Sequence, residues 1–312
     1  MIISASRRTD IPTYFSQWLV NRFREGFVYV RNPMNAHQVS KIRLDPEVVD
    51  GIVFWTKNPV PMLDKLDAFR EYMYYFQFTL NSYGADTECG VPSKDKVVVP
   101  AFQRLSDRIG PDRVIWRYDP IFLSKDYTMD YHIRYFEKLA KRLAPYTRQC
   151  TISFLDLYSK TEKNLAPLAL RPFPLEEQDA IAKAIAGIAH GYGLRVATCA
   201  EGIELEKYGI EHASCIDGRL FEKLLQCGLK TQKDKNQRHE CGCVESIDIG
   251  AYNTCKNGCR YCYANFNEKA VGTNFGKHCP DSPLLLGEIG PEDKITDRKM
   301  VSYRVDQLQL DW

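Results

Sequence analysis

Residues 113–157 read RVIWRYDPIFLSKDYTMDYHIRYFEKLAKRLAPYTRQCTISFLDL, and this stretch decides the fold. Arg113 to Tyr118 is a short β-branched and aromatic run, and Cys150 to Leu155 is another. Between them Ile133, Phe136, Ala140 and Leu143 recur at helical spacing, and Thr128 stands where a helix cap belongs. A strand, a helix of that length and a second strand make a crossover unit, which joins parallel neighbours.

The same alternation extends in both directions. The predicted strands are Ile2 to Ser6, Phe27 to Arg31, Gly51 to Thr56, Tyr74 to Leu80, Arg113 to Tyr118, Cys150 to Leu155, Leu194 to Cys199 and Val244 to Ile249. A second clear helix runs from Leu175 to His190. It opens after Pro174 with Glu176 and Glu177, carries Ile181, Ile185 and Ile188 on one face, and closes at Gly191. Eight strand–helix units without a Gly-rich first turn favour an α/β fold of the (β/α)8, TIM-type barrel kind, closed or nearly closed, over an open dinucleotide-binding sheet. The expected organisation is a barrel over residues 1–250, with residues 251–312 packed on it as one structural unit.

Polar groups follow the predicted strands: Ser6 to Asp10, Asn32-Pro33, Thr56 to Pro59, Asn81 to Tyr83, Arg117 to Pro120, Asp156 to Tyr158 and Cys199 to Glu201. In a barrel these all face the C-terminal rim, where active sites are built. Loops are solvated in any case, so a single such residue means little; seven successive sites mean more.

Composition sets outer limits. A chain of 312 residues buries roughly 75% of its unfolded surface, and 44% hydrophobic with 26% charged residues excludes a disordered, collagenous or coiled-coil protein. Forty-two basic against 40 acidic residues leave +2, which gives a polyanionic partner such as nucleic acid no general support. No apolar stretch is long enough for a membrane span, and MIISASRRTDIP lacks the pattern of a secretory signal. The expected location is the cytoplasm, where 11 cysteines point away from a disulfide framework.

Near the C-terminus stands Cys255-Lys-Asn-Gly-Cys259-Arg-Tyr-Cys262, a C-x3-C-x2-C spacing. Three thiolates this close wrap one compact cluster, and a loop with Gly258 can curl around it. A fully protein-held four-iron cubane takes four cysteines, so three leave one iron open.

This motif, with Tyr261 immediately before the third cysteine, resembles the cluster loop of the radical S-adenosylmethionine (SAM) superfamily. The surrounding CGCVESIDIGAYNTCKNGCRYCYAN, together with ISASRRTDIP, FWTKNP and RYDP, resembles the DUF1848 family over nearly the whole chain. The superfamily resemblance implies that Cys255, Cys259 and Cys262 hold a [4Fe-4S] cluster whose open iron chelates SAM. It implies that the Tyr261 backbone contacts the adenine, and that reductive cleavage of SAM yields a radical that abstracts hydrogen from a substrate. A flavodoxin- or ferredoxin-type electron donor is implied as partner. The cysteine loop usually follows the first strand of such barrels; here it follows the last predicted strand, which a permuted barrel accommodates because its first and last strands are neighbours. By position Ser6 to Asp10 replaces the glycine-glycine-glutamate segment that binds the SAM amine, with Asp10 or Ser6 as the substitute. RYDP and SFLD are also similar to segments of spore photoproduct lyase-type enzymes, implying a nucleic-acid or nucleotide substrate.

Around the cluster, Arg117 is suited to fork a carboxylate, Asp119 to orient it or to form a turn with Pro120, and Lys57 to neutralise an anionic substrate. Asn81 is a candidate ribose or substrate contact. Cys199, Cys215, Cys241 and Cys243 are expected near one another if the seventh and eighth strands adjoin. They are enough for a second [4Fe-4S] cluster or a structural zinc, or they are ordinary buried thiols. The alternative to an enzyme is a non-catalytic binding protein stapled by zinc or an iron–sulfur cluster, with His239 beside Cys241 and Cys243 completing a mixed ligand set.

Overall fold

The computed structural model describes residues 1–305. Among these, the strands in chain order are β1 (Ile2–Ala5), β2 (Phe27–Asn32), β3 (Asn35–Arg43), β4 (Gly51–Thr56), β5 (Tyr74–Thr79), β6 (Val114–Ile121), β7 (Gln149–Phe154), β8 (Arg195–Cys199), β9 (Ile210–Ala213), β10 (Ile247–Asp248) and β11 (Lys294–Asp297). Eight of them form one parallel sheet in the order β10-β1-β4-β5-β6-β7-β8-β9. The helices Met129–Leu143 and Leu175–Gly191 stand where the periodicity places them, and Thr128 accepts the Tyr131 N–H at 3.2 Å as the cap.

The period-2 alternation of each strand divides its side chains between two cores. On the outer face Ile3, Ile52, Phe54, Phe76, Trp116 and Ile152 pack under the helices, against Phe102, Phe136 and Ile181. On the inner face Ile2, Val53, Tyr75 and Ile115 meet Ile216 and Phe221, which fill the sheet's concave side at the N-terminal ends of the strands. Phe221 lies so close to β4 that a Cβ on Gly51 would fall 2.1 Å from its ring. Further along the same inner rows the residues turn polar: Ser4 and Ser6, Trp55 and Lys57, Gln77 and Thr79, Arg117 and Asp119. Apolar packing therefore ends midway, and polar groups converge at the C-terminal rim.

One expectation is corrected. Phe27 to Arg31 is not a strand of the main sheet. It forms β2, paired antiparallel with β3 in a separate three-stranded sheet that β11 completes. The turn between them is closed by Met34 N–H donating to Asn32 Oδ1 at 2.9 Å, and such a short link permits only an antiparallel partner. The place in the main sheet goes instead to β9, four residues whose exposed Glu211 and His212 hide any strand pattern. The main sheet is the eight-stranded parallel α/β sheet expected, and its ladders stop short of a closed ring. The parallel order has two ends, β10 and β9, and among the described residues no ladder joins them. The predicted neighbour relation of last and first strand does hold, with Ile3 opposite Ile247 and Ser4 opposite Asp248.

The chain returns to its beginning: Trp18 Nε1 donates to Ser282 O at 2.9 Å, and the Met1 ammonium donates to Val48 O at 2.9 Å and Val301 O at 3.0 Å beside Asp50. Among the described residues no helix is long and apolar enough to cross a membrane.

Candidate metal centre

Asp248 on β10 anchors the site. Its carboxylate accepts from Ser4 Oγ at 2.9 Å, Ser6 Oγ at 2.6 Å, Arg7 N–H at 2.8 Å and Gly250 N–H at 3.0 Å, binding the loop after β1 to the segment that leads into the cysteines. A Cβ on Gly250 would strike Ser6 Oγ at 2.1 Å, so only glycine allows this approach. Beyond it, Asn265 Oδ1 accepts the N–H groups of Thr254 at 2.7 Å and Cys255 at 2.8 Å, while its amide donates to Arg8 O at 2.9 Å and reaches Cys262 Sγ at 3.6 Å. Between the first two cysteines, Asn257 donates to Asp10 Oδ2 at 3.0 Å and accepts from Tyr14 at 2.9 Å. Gly258, at φ +60°, makes the left-handed turn, and the far side of the loop pairs with the segment after β5 through Gly90 N–H to Asn257 O at 2.9 Å.

The loop thus presents Cys255 and Cys259, both buried, and Cys262, half-buried. Burial pushes the Cys255 thiol well up, and Asp10 and the neighbouring cysteines add to the rise. Cys259 moves up likewise by burial, against the pull of Lys57. Thiols in such a place ionise when a metal cation replaces their protons. As they stand, no group of three or more His, Cys, Asp or Glu side chains among the described residues is disposed to hold a metal ion, so binding requires the sulfurs to adjust.

Beside Cys259 lies a buried charge network that joins the expected Lys57, Asn81 and Tyr261 to Glu88 and Lys94, which no sequence pattern singles out. Glu88 accepts from Lys57 Nζ at 2.8 Å, faces Lys94 Nζ at 2.7 Å, and hydrogen-bonds Tyr261 and, at 3.3 Å, Asn81. Burial opposes its ionisation, but the two ammonium groups outweigh that and hold its carboxyl at about 2. Burial likewise opposes the Lys57 charge, and Glu88 together with Cys259 and Asp119 more than restores it. Lys57 therefore stays cationic, poised over the Tyr261 ring at 5.5 Å.

Two cavities meet here. One, about 170 Å³, lies against Cys255, Cys259 and Cys262 and is lined also by Thr9, whose buried hydroxyl has no hydrogen-bond partner. The other, about 420 Å³, runs inward past Arg117, Asp119 and Ser153 to Cys199, Cys215 and Cys243. Trp55, Lys57, Thr79, Tyr261 and Cys262 line both, so the space is continuous. A larger cavity of about 620 Å³ opens at the other end of the sheet, among Asp112, Arg148, Arg195 and Lys223. It holds no cysteine and consists largely of solvated charge.

Several expected residues have partners that redefine them. Arg117 spends Nε and Nη2 on Asp119 and directs Nη1 to Cys215 Sγ at 2.7 Å, so Asp119 orients it and the guanidinium is not free to fork a carboxylate. Ser6 and Asp10 are engaged by Asp248, and by Lys57 N–H, Thr13 N–H and Asn257. They build the loop's seat and are not free to bind an amine. Asn81 donates to Asp119 O at 2.7 Å and to Tyr261 at 3.2 Å, leaving its buried Oδ1 without a partner. Cys199, Cys215, Cys241 and Cys243 come together on the inner wall, with the Cys199 and Cys215 sulfurs 2.8 Å apart as free thiols. Asp248, Asn257, Asn265 and Glu88 escape sequence reasoning; only the closeness of the two asparagines to the cysteines was visible in the chain.

The family model described as "Domain of unknown function (DUF1848)" matches residues 2–264, a span that includes the cysteine loop and every strand of the main sheet. No curated protein matches the chain. Among solved structures, a putative alpha-L-fucosidase from Bacteroides thetaiotaomicron VPI-5482 is matched at 10% identity over 72% of this chain and 83% of that one, with a TM-score of 0.26, a likeness too slight to bear on fold or activity. On the extent of the family match, the chain belongs to the DUF1848 family.

Proposed function

We propose that the protein is a radical SAM-type enzyme in which Cys255, Cys259 and Cys262 hold a [4Fe-4S] cluster and the open iron takes SAM. The observation that carries this reading is the placement of three buried or half-buried thiols of one loop against a cavity that continues to the interior of the sheet. The partnerless Thr9 hydroxyl facing that cavity fits a polar ligand beside the cluster. When bound and reduced, the cluster supplies the electron that cleaves SAM and starts hydrogen abstraction.

The chain's own residues then have definite tasks. Asn265 and the Asp10–Asn257 pair hold the loop's curvature, which keeps the three sulfurs on one side. Lys57, kept charged by Glu88, offsets the negative charge of the ligated thiolates. The inner cavity, lined by the sheet on one side and open toward Asp156 and Tyr158 on the other, offers a substrate a place beside the cluster loop. The near-neutral total charge leaves the substrate class undefined.

The test is anaerobic reconstitution with iron and sulfide, reduction in the presence of SAM, and chromatography for 5'-deoxyadenosine. The expected result is 5'-deoxyadenosine from the native chain and none from the triple Cys255→Ala, Cys259→Ala, Cys262→Ala variant. Equal product from both refutes the assignment, as does a fully loaded, reducible cluster whose EPR signal is unmoved by SAM.

A further inference from the structure

The gap in the main sheet and the second group of cysteines occupy the same place. Cys215 follows the edge strand β9, Cys241 and Cys243 precede the opposite edge strand β10, and Cys199 ends β8. The two edge segments share no ladder, yet Val244 N–H donates to Ile216 O at 3.1 Å, so they touch at the cysteines. The four thiols stand together on one cavity wall. Cys199 meets Cys215 at 2.8 Å, Ile216 N–H, next to Cys215, donates to Cys243 Sγ at 3.4 Å, and Cys241 lines the same cavity wall.

We infer that Cys199, Cys215, Cys241 and Cys243 form a tetrathiolate zinc site that staples the two open edges of the sheet. Three features of these cysteines carry this. The first is ligand number and type: four cysteines from three chain segments match a closed structural zinc site, in which no position is left for substrate. The second is spacing. Zinc binds thiolate at about 2.3 Å, which puts tetrahedral sulfurs about 3.8 Å apart. As at the cysteine loop, the sulfurs must adjust to accept an ion: Cys199 and Cys215, now 2.8 Å apart, need to spread by about 1 Å, and Cys241 and Cys243 must close on them. A cubane places each thiolate on a different iron and requires a much wider opening.

The third feature is charge. Four thiolates around one divalent ion carry two net negative charges, and the surroundings supply donors and cations to meet them. Arg117 Nη1 donates to Cys215 Sγ at 2.7 Å, Ile216 N–H donates to Cys243 Sγ at 3.4 Å, and the largely buried Arg7 guanidinium stands near Cys243 and Cys215. Such N–H donors around the sulfurs are the outer shell a metal–thiolate site requires. The consequence reaches the cavity, since all four cysteines line its inner wall and Arg117 bridges that wall to Asp119. The staple fixes the floor of the chamber into which Cys262 faces.

This site is independent of the proposed activity, and its test keeps the two apart. The full-length native chain and the triple Cys255/Cys259/Cys262→Ala variant are produced in zinc-supplemented, iron-limited medium, purified anaerobically, and analysed for metal by mass spectrometry. Both are expected to carry zinc in a one-to-one ratio. Cys215→Ser and Cys243→Ser are expected to lose it, and Cys227→Ser to keep it. Because a variant without its staple can misfold, the native chain is also stripped and refilled with Co²⁺, whose absorption distinguishes four tetrahedral thiolates from fewer. Zinc-free native protein, zinc lost from the triple variant but retained in Cys215→Ser, a Cys199–Cys215 disulfide in anaerobically purified protein, or cobalt spectra lacking tetrathiolate bands each overturns the inference.

Discussion

Replacing Glu88 by Gln keeps the side chain's volume and removes its charge, leaving the Lys57 and Lys94 ammonium groups without their shared anion. Glu88 is fully buried, and its lysines are only 12% and 21% exposed. Breaking a buried ion pair from one side costs about 3–5 kcal/mol, because the remaining charge has lost both water and partner. Unfolding entropy of about 2.1 cal/mol/K per residue over 312 residues converts that to a fall in melting temperature of roughly 5–8 °C. The sign of the pH dependence follows from the carboxyl's displacement to about 2 from its ordinary 4.5. A depressed acid contributes stability above its unfolded value and loses it as pH falls toward the folded one. Denaturant unfolding of the native chain and the variant at pH 7, 5 and 4 measures this: the gap is expected in full at pH 7 and reduced at pH 4. A loss below about 1 kcal/mol at pH 7, the size of an exposed pair, would falsify the buried-network reasoning.

Gly51→Ala inserts a methyl group 2.1 Å from the Phe221 ring, itself packed 5.0 Å from the Tyr75 ring, and is expected to cost about 1–3 kcal/mol or more. The double variant with Phe221→Leu should recover part of that loss in the same thermal melts; no recovery means the clash is elsewhere. Glu201 accepts the Phe154 N–H at 2.9 Å, and its carboxyl is raised to about 7, first by burial and then by Asp156. A raised acid loses folded-state stability as pH climbs from 4.5 to about 7, so Glu201→Gln should match the native chain near pH 4 and exceed it at pH 8 in denaturant titrations. Equal stabilities at pH 8 would show that the carboxyl ionises freely.

The chain itself shows its parallel α/β character, because a strand buried on both faces tends to be a continuous apolar run, and seven of the eight predicted segments hold strands of the main sheet. The cysteine loop was equally visible, since its three cysteines lie within eight residues of one another and their spacing survives any tertiary arrangement. Strand β9 and the hairpin of β2 and β3 were not, for opposite reasons. β9 is too short and too exposed to print a pattern, whereas Phe27 to Arg31 prints one that serves a different sheet. Tertiary structure alone assigned the charges. Lys57 and Glu88 are separated by 31 residues, and Arg117 and Cys215 by 98. Whether a lysine is a solvated loop residue or a buried cation depends on what the fold sets beside it. The same holds for Ser6 and Asp10, which read as free site residues until Asp248 and Asn257, more than 240 positions away, claim their hydrogen bonds. Local patterns record how a segment meets water; pairings between distant polar groups leave no period, and only the folded chain decides them.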